Sequence, residues 1–425
     1  MTAFSRDGND VLIPLKVLDE VDKHKKRQDP VGIQARNTIR FLDKLREMGN
    51  LFDGVQIDEN SGRVYVKGYD PFLLPDDLDL EDSDNKIVAT ALTIKEKSSE
   101  EDCKVVVVSR DINMRVKCDS LGLESQDYNF EQVVDDVSGL YTGLVTHLVD
   151  DQIIEKIYND KPLFFEPDDG FFNPNQFIML VSNSNEKKAA LVRFCGYSQP
   201  LKKVSSFKTG VWGVKPKNKE QSFALDLLMD PKVPVVSLIG KAGSGKTLMA
   251  LAAALQQTFG DKADDRKYNR VIVTKPVEPV GKDIGFLPGT MEEKMMPWLA
   301  PIQDNLQFLF GNDRMTLDMH IDEGRIEVEA MTYIRGRSIS NSFVIIDEVQ
   351  NMTRHEIKTV LTRIGENTKI VLTGDVEQID NVYVDSTTNG LSYVIEKFKD
   401  QEVAGHITLV KGERSKVATI ASKIL

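Results

Sequence analysis

The chain has 425 residues, of which 41% are apolar and 28% charged, with a formal net charge of −12. Its length exceeds one core of ordinary size, so two or three domains are expected, and its composition is that of a folded globular chain. The acidic balance excludes a protein that coats nucleic acid with its whole surface, though not one with a local basic strip.

Three cysteines, Cys103, Cys118 and Cys195, stand far apart with no CxxC between them. That pattern fits a reducing cytosol and argues against a structural zinc. The opening MTAFSRDGND lacks the apolar core of a signal peptide, and no apolar run approaches the roughly 20 residues needed to span a bilayer. A cytoplasmic protein without a membrane partner is expected.

In chain order, VLIPLKVLDEV (11–21) reads as an apolar strand that turns helical, followed by the basic cluster KHKKR (23–27). A helix over about 31–48 carries Ala35, Ile39 and Leu42 on its apolar stripe, with Arg36, Arg40 and Lys44 at i,i+4 on another face. DDLDLEDSD (76–84) has six acids and no base, and leads into a helix at NKIVATALTI (85–94). KVVVVSRD (104–111) is a short buried strand ending in an acid. Alternating helices and β-branched strands predict a parallel α/β sheet. From about 130 to 205, stretches such as NQFIMLVS and AALVRFCGY between Asn, Ser and Gly turns predict a small β-rich connector. The segment KKVSSFKTGVWGVKPKNKE (202–220), with six lysines against one glutamate, reads as the linker. Helix and strand then alternate to the C-terminus.

The segment VPVVSLIGKAGSGKTLMALAAAL (233–255) reads strand, glycine-rich turn, helix. Gly240, Lys241, Ala242, Gly243, Ser244, Gly245, Lys246 and Thr247 fit GxxxxGK[ST] without a mismatch. Glycines let the backbone N–H groups converge on phosphate oxygens at a helix N-terminus. Lys246 is placed to neutralise the β- and γ-phosphates and the Thr247 hydroxyl to hold Mg²⁺. A plain glycine turn is the alternative, which the flanking strand and alanine-rich helix disfavour.

Such a loop calls for an apolar strand ending in an acid, and SFVIIDEVQN (342–351) supplies one about a hundred residues later. Asp347 is expected to bind the magnesium through water and Glu348 to polarise the attacking water. A third strand, KIVLTGDVEQID (369–380), offers Thr373 and Gln378 as sensors of the γ-phosphate, with a polar turn as the plainer reading. An arginine usually completes hydrolysis. Arg335 and Arg337 in YIRGRS and Arg414 in KGERS are the candidates, supplied most simply by the next subunit of a ring. For each arginine alone a surface salt bridge is the plainer role.

Together these motifs resemble the PhoH family of P-loop ATPases. The resemblance runs from about Trp212 to Leu425, through VWGVKPKNKEQSFALDLLMD (211–230), GKAGSGKT, VTKPVEPVGKDIGFLPGTMEEKMMPW (273–298), TYIRGRS, FVIIDEVQN, IVLTGDVEQIDN and LVKGERS. It implies a RecA-like core similar to that of superfamily 1 helicases, and ATP-driven work on nucleic acid. Gln221 stands where the resemblance places a glutamine on the adenine edge, which needs both a donor and an acceptor. Lys275 stands where it implies a nucleic-acid contact.

The first region resembles a PIN domain, the nuclease module fused to PhoH in longer members of the family. PIN sites hold Mg²⁺ or Mn²⁺ on clustered carboxylates, and Glu20, Asp84 and Asp111 match three of the expected acids. The family's opening strand, with an aspartate in a stretch like VLDTN, has no counterpart. MTAFSRDGND aligns with the segment after it, and Asp7 and Asp10 lie in a polar loop. The expectation is therefore a truncated start or an impaired nuclease. KHKKR, the Arg36/Arg40/Lys44 face and the 202–219 lysines, with Phe207 and Trp212 nearby for stacking, are candidate phosphate and base contacts; for each a solvated face is the plainer reading.

The expected whole is α/β: a PIN-like parallel-sheet domain (1–130), a small β connector (131–205) and a RecA-like P-loop ATPase domain (206–425). It would hydrolyse ATP with Mg²⁺ and act on RNA, with DNA as the other candidate, as a homo-oligomer for which a hexameric ring is one form. Two alternatives stay open: an ATP-regulated nucleic-acid-binding module without motor activity, and a metal-dependent ribonuclease that uses ATP only as a switch.

Overall fold

The computed structural model describes residues 8–27, 30–58, 61–75, 78–98, 103–128, 132–134, 136–166, 171–276, 291–331, 337–381 and 383–412. The chain divides into two units, Met1–Glu131 and Gln132–Leu425. The segment expected as a connector falls within the second.

In the first unit the apolar run forms β1 (Val11–Pro14) and passes directly into α1 (Leu15–His24). Pro14 has no N–H for a sheet ladder, and its fixed φ suits the entry to a helix. After α2 (Pro30–Met48) come β2 (Val55–Gln56) and β3 (Arg63–Lys67). β3 lies between the other two strands, parallel to β1 and antiparallel to β2. Ile13, Val55 and Val64 pack there with Leu42 and Leu45 of α2. Next come α3 (Ser83–Ser98), β4 (Val106–Val108), α4 (Ile112–Ser120) and β5 (Glu124–Gln126), with β4 and β5 parallel.

In place of the one parallel sheet expected here there are, among the described residues, two small pieces, the first mixed and the second parallel. β5 reads Glu-Ser-Gln, with no apolar side chain to draw another strand over it, and in β4 only Val107 is buried. Val88, Met114, Cys118 and Leu123 complete that second small core. Arg36, a candidate phosphate contact, donates to the Lys25 and Arg27 carbonyls just past α1, each at 2.8 Å.

The second unit opens with β6 (Leu144–Val149), α5 (Asp151–Tyr158), β7 (Phe177–Ser182), β8 (Ala189–Arg193) and β9 (Lys202–Lys203). The strands pair in sequence order, β6 parallel to β7 and the rest antiparallel. Then follow α6 (Lys219–Met229), β10 (Val235–Gly240), α7 (Lys246–Phe259), β11 (Arg270–Lys275), α8 (Met291–Leu309) and α9 (Arg314–Asp322). The chain continues with β12 (Ile326–Ala330), β13 (Ser342–Ile346), α10 (Arg354–Leu361), β14 (Lys369–Gly374), α11 (Gly390–Phe398) and β15 (Ala404–Leu409).

Strands β10 to β15 form one wholly parallel sheet in the order β12-β11-β13-β14-β10-β15. A parallel sheet is covered on both faces, so its strands read as near-continuous apolar runs; every residue of β13 and β14 is buried. This RecA-like order sets β14 between β10 and β13. Their carboxyl ends then open side by side into the crevice where ligands bind in such sheets.

A polar network fastens the small sheet to α6. Arg193, only 2% exposed, pairs with Asp226 at 3.2 Å and with Asp230 at the end of α6. Lys202 reaches Asp230 at 2.9 Å. Burial acts to raise the Asp230 pKa, but the bonds from Lys202 and Arg193 prevail and hold it far below the usual carboxylate range. Behind them, the buried Lys369 donates to the carbonyls of Leu227, Asp230 and Val233 at 2.9, 2.8 and 2.7 Å, three acceptors for three N–H bonds. Arg193→Ala would leave the buried Asp226 carboxylate without this ion pair and Asp230 with Lys202 as its remaining cation. It should destabilise the fold by about 3–5 kcal/mol, read as a lower midpoint in urea; an unchanged midpoint would show the network to be dispensable.

Candidate nucleotide site

The glycine-rich turn joins the end of β10 to the start of α7. Gly243 and Gly245 have φ of +80° and +89°, a region that L side chains avoid. A side chain at Gly240 would place its Cβ 2.7 Å from the Leu409 carbonyl oxygen and 2.8 Å from Ser244 Oγ. The N-cap of α7 is Gly245, and no side chain caps the helix's first N–H groups, as an anion site would require. Ser244 Oγ is buried without a hydrogen-bond partner among the described residues, an orphaned donor inside the loop. Lys246 is 8% exposed and folds its ammonium onto the Gly240 and Lys241 carbonyls. These features fit a phosphate chain.

Opposite the loop, the Thr247 hydroxyl lies 3.1 Å from each oxygen of Asp347. Thr373, fully buried at the end of β14, donates to the same carboxylate. Hydroxyl and carboxylate oxygens are the donors that a hard divalent cation such as Mg²⁺ takes, so this pair fits that ion.

Glu348 has φ of +58°, an uncommon conformation for a non-glycine residue. Its side chain accepts from Gln350 Nε2 at 2.6 Å. It borders a cleft of about 340 Å³ shared with Lys275, Asn351, Glu377, Gln378 and Asp380. Gln378 and Lys275 thus come to the same opening as Glu348. Gln221 donates to the Ser244 carbonyl at 3.0 Å and accepts from Lys217 N at 2.8 Å. One N–H and one lone pair of its amide remain for a base edge.

Two residues of this site escaped the sequence reading. Gln350 is fully buried, and besides Glu348 its amide donates to the Gln378 carbonyl at 2.9 Å and accepts from Asp375 N at 3.0 Å. Gly374 must lack a side chain for this, since a Cβ there would stand 2.4 Å from Gln350 Oε1. Asp375, 5% exposed, accepts from Ala242 N of the loop at 3.0 Å. Beside it Glu377 pairs with Lys241 at 2.8 Å and raises the pKa of that lysine. The DEVQ and TGDVE runs were the available signals, but they show position and not where a side chain turns.

Other candidates fare differently. Arg337 pairs with Glu327 and Glu329, each at 3.2 Å, the plainer role foreseen for it. Arg335 and Arg414 lie outside the described residues. Trp212 donates its indole N–H to the Leu309 carbonyl at 2.9 Å and meets Phe310 edge-on, so it takes part in the fold of the second unit. In the first unit Glu20 is half-buried in α1, Asp84 sits in the first turn of α3, and exposed Asp111 caps α4 by accepting from Asn113 N and Met114 N. Among the described residues no three of His, Cys, Asp or Glu gather closely enough to hold a metal ion, so these acids do not form the expected cluster. Asp10 accepts from Arg63 N at 2.8 Å beside β1, and Asp7 lies outside the described residues.

Comparison with known proteins bears on both units. A family model described as "PhoH-like protein" matches residues 213–424, and one described as "PIN domain" matches 1–129. "Protein PhoH2" of Bacillus subtilis is 42% identical over 428 residues, covering 99% of this chain and 96% of that protein. "Protein PhoH2" of Mycolicibacterium smegmatis is 34% identical, covering 98% and 92%. "Protein PhoH" of Escherichia coli is 36% identical over 172 residues, 40% of this chain and 47% of that protein. Among solved structures, Pif1 helicase from Candida albicans aligns over 49% of this chain and 43% of its own at 16% identity, with a TM-score of 0.26, too slight a likeness to bear on the fold.

The amide of Gln350 can be tested apart from the phosphate contacts. Gln350→Ala should leave nucleotide affinity within about two-fold and lower turnover by up to about 100-fold, the effect of a misplaced reacting group. Turnover at the wild-type level would remove Gln350 from the site.

Proposed function

The chain belongs to the PhoH-like family, joined here to a PIN domain, and we propose that it hydrolyses ATP with Mg²⁺ and uses the cycle to move along or unwind RNA. The observation that carries this reading is the Thr247 hydroxyl set 3.1 Å from both Asp347 oxygens, across 100 residues of sequence. A glycine turn with no ligand to serve has no need of a carboxylate there.

In this reading the loop N–H groups and Lys246 bind the β- and γ-phosphates. Thr247 and Asp347 hold Mg²⁺, which when bound neutralises phosphate charge during transfer. Glu348 takes the proton of the attacking water, and Gln350 fixes that carboxylate. Thr373 and Gln378 lie where departure of the γ-phosphate would be felt. Gln221 selects adenine. An arginine from a neighbouring subunit completes the site; with Arg337 held by Glu327 and Glu329, Arg335 and Arg414 are the stronger candidates in a homo-oligomeric ring, for which six subunits is one form.

RNA is proposed over DNA because a PIN module points to RNA processing. In this division of labour 206–425 is the motor, 131–205 a connector and 1–130 an impaired nuclease that holds the strand. Glu20, Asp84 and Asp111 form no three-acid group among the described residues, which is why cleavage is given no part in this reading.

The test is ATP turnover with and without single-stranded RNA, with RNA length followed in the same tube. Stimulated turnover with little cleavage is expected. Turnover indifferent to RNA and to DNA would overturn the motor in favour of an ATP-regulated binding module. Lys246→Ala should abolish ATP binding and turnover. Glu348→Gln should keep ATP bound while turnover falls by about 10²–10⁴-fold, and unchanged turnover would remove it as the base.

A further inference from the structure

A groove of about 460 Å³ lies in the second unit, bounded by the end of α5, by β9 with the residues after it, and by the segment entering α6. Its volume is that of a ligand site, for which ~300–1,000 Å³ is usual. Three lysines, Lys203, Lys208 and Lys215, face it, and no acid lines it, in a chain whose net charge is −12. Lys203 pairs with Asp160 at 3.2 Å. Neither Lys208 nor Lys215 pairs with a carboxylate among the described residues, and both are exposed. Ser205 and Ser206 add exposed hydroxyls on the same wall.

Tyr158 gives the groove a second character. The residue is 57% exposed, yet its hydroxyl donates to the Ala189 carbonyl at 2.7 Å, which holds the ring in place. The Lys203 ammonium lies 5.7 Å from its centre. An exposed aromatic face that is fixed in advance, beside cations spaced along a groove, matches what unpaired bases and their phosphates require.

We infer that this groove binds single-stranded RNA, with phosphates on Lys208 and Lys215 and a base stacked on Tyr158. The inference rests on the RNA reading proposed above and gives it a location. A duplex would not serve, since its bases are already stacked on one another. The groove also adjoins the nucleotide site: Ser222 lines it, and the neighbouring Gln221 grips the Ser244 carbonyl of the loop. RNA in the groove and nucleotide in the loop would therefore touch consecutive residues of one helical turn, and any coupling between them must be reciprocal.

The experiment is fluorescence anisotropy of the full-length protein with a labelled 12-nucleotide oligouridylate over a salt series, with a fluorescent ADP analogue bound separately as a check on folding. Tyr158→Ala should weaken RNA binding about ten-fold, while Tyr158→Phe, which keeps the ring, stays within about three-fold of wild type. Lys208→Glu with Lys215→Glu should weaken it further and flatten the slope of log affinity against log salt by about 1.4, two phosphate contacts at roughly 0.7 each. Variants that bind RNA as wild type does would overturn the groove and leave the RNA reading intact. Preference for duplex RNA would overturn the groove as well. Failure of the wild-type protein to bind RNA at all would overturn both.

Discussion

The Asp347 carboxylate fastens the second unit's crevice together. It accepts from Thr247 at the start of α7 and from Thr373 at the end of β14, and its own N–H bonds the Thr274 carbonyl of β11 at 2.9 Å. Four segments distant in sequence thus meet at one residue, two of them through its side chain and one through its backbone. This is possible only because the sheet is wholly parallel and β14 separates β10 from β13, so that every relevant strand ends on the same side. The same carboxylate oxygens that hold these two hydroxyls are those a divalent ion would take.

The nucleotide half of the site was legible because its chemistry constrains backbone and side chain together. GKAGSGKT needs glycines where φ is positive, and the acidic strand must be apolar along its whole length because both its faces are buried. Gln350 and Asp375 were not legible in the same way. Each stands inside a motif already singled out, but their roles depend on the direction of an amide and a carboxylate across a strand gap. Pairing in a sheet sets that direction, and the run of residue types does not. The first unit shows the opposite error. Asp111 has the right residue type near the right strand end, yet its carboxylate is turned onto the N–H groups of α4, the local role for which aspartate at an N-cap is favoured. The strands at 55–56 and 63–67 passed unread because they are only two and five residues long.

The small sheet at 144–203 shares a unit with the large parallel one, and α6 is their common partner. Phe177 of β7 stacks on Phe223 of α6 with ring centres 4.4 Å apart, and Arg193 of β8 binds Asp226 and Asp230. The apolar stack supplies burial. The charge network fixes register, because a guanidinium enclosed with two carboxylates tolerates no sliding without stranding a charge. The wall of the basic groove and the grip on the glycine loop therefore belong to one fixed assembly.

Lys369 gives that assembly a mechanical character. Its three N–H bonds pin the Leu227, Asp230 and Val233 carbonyls, all at the C-terminal end of α6 or just beyond it. At the opposite end of the helix Asn218 caps the first turn and Gln221 touches the loop. Sliding of α6 along its axis would break all three Lys369 bonds at once. The place of Gln221 at the nucleotide loop is thus set, from the far end of the helix, by one ammonium at the root of β14.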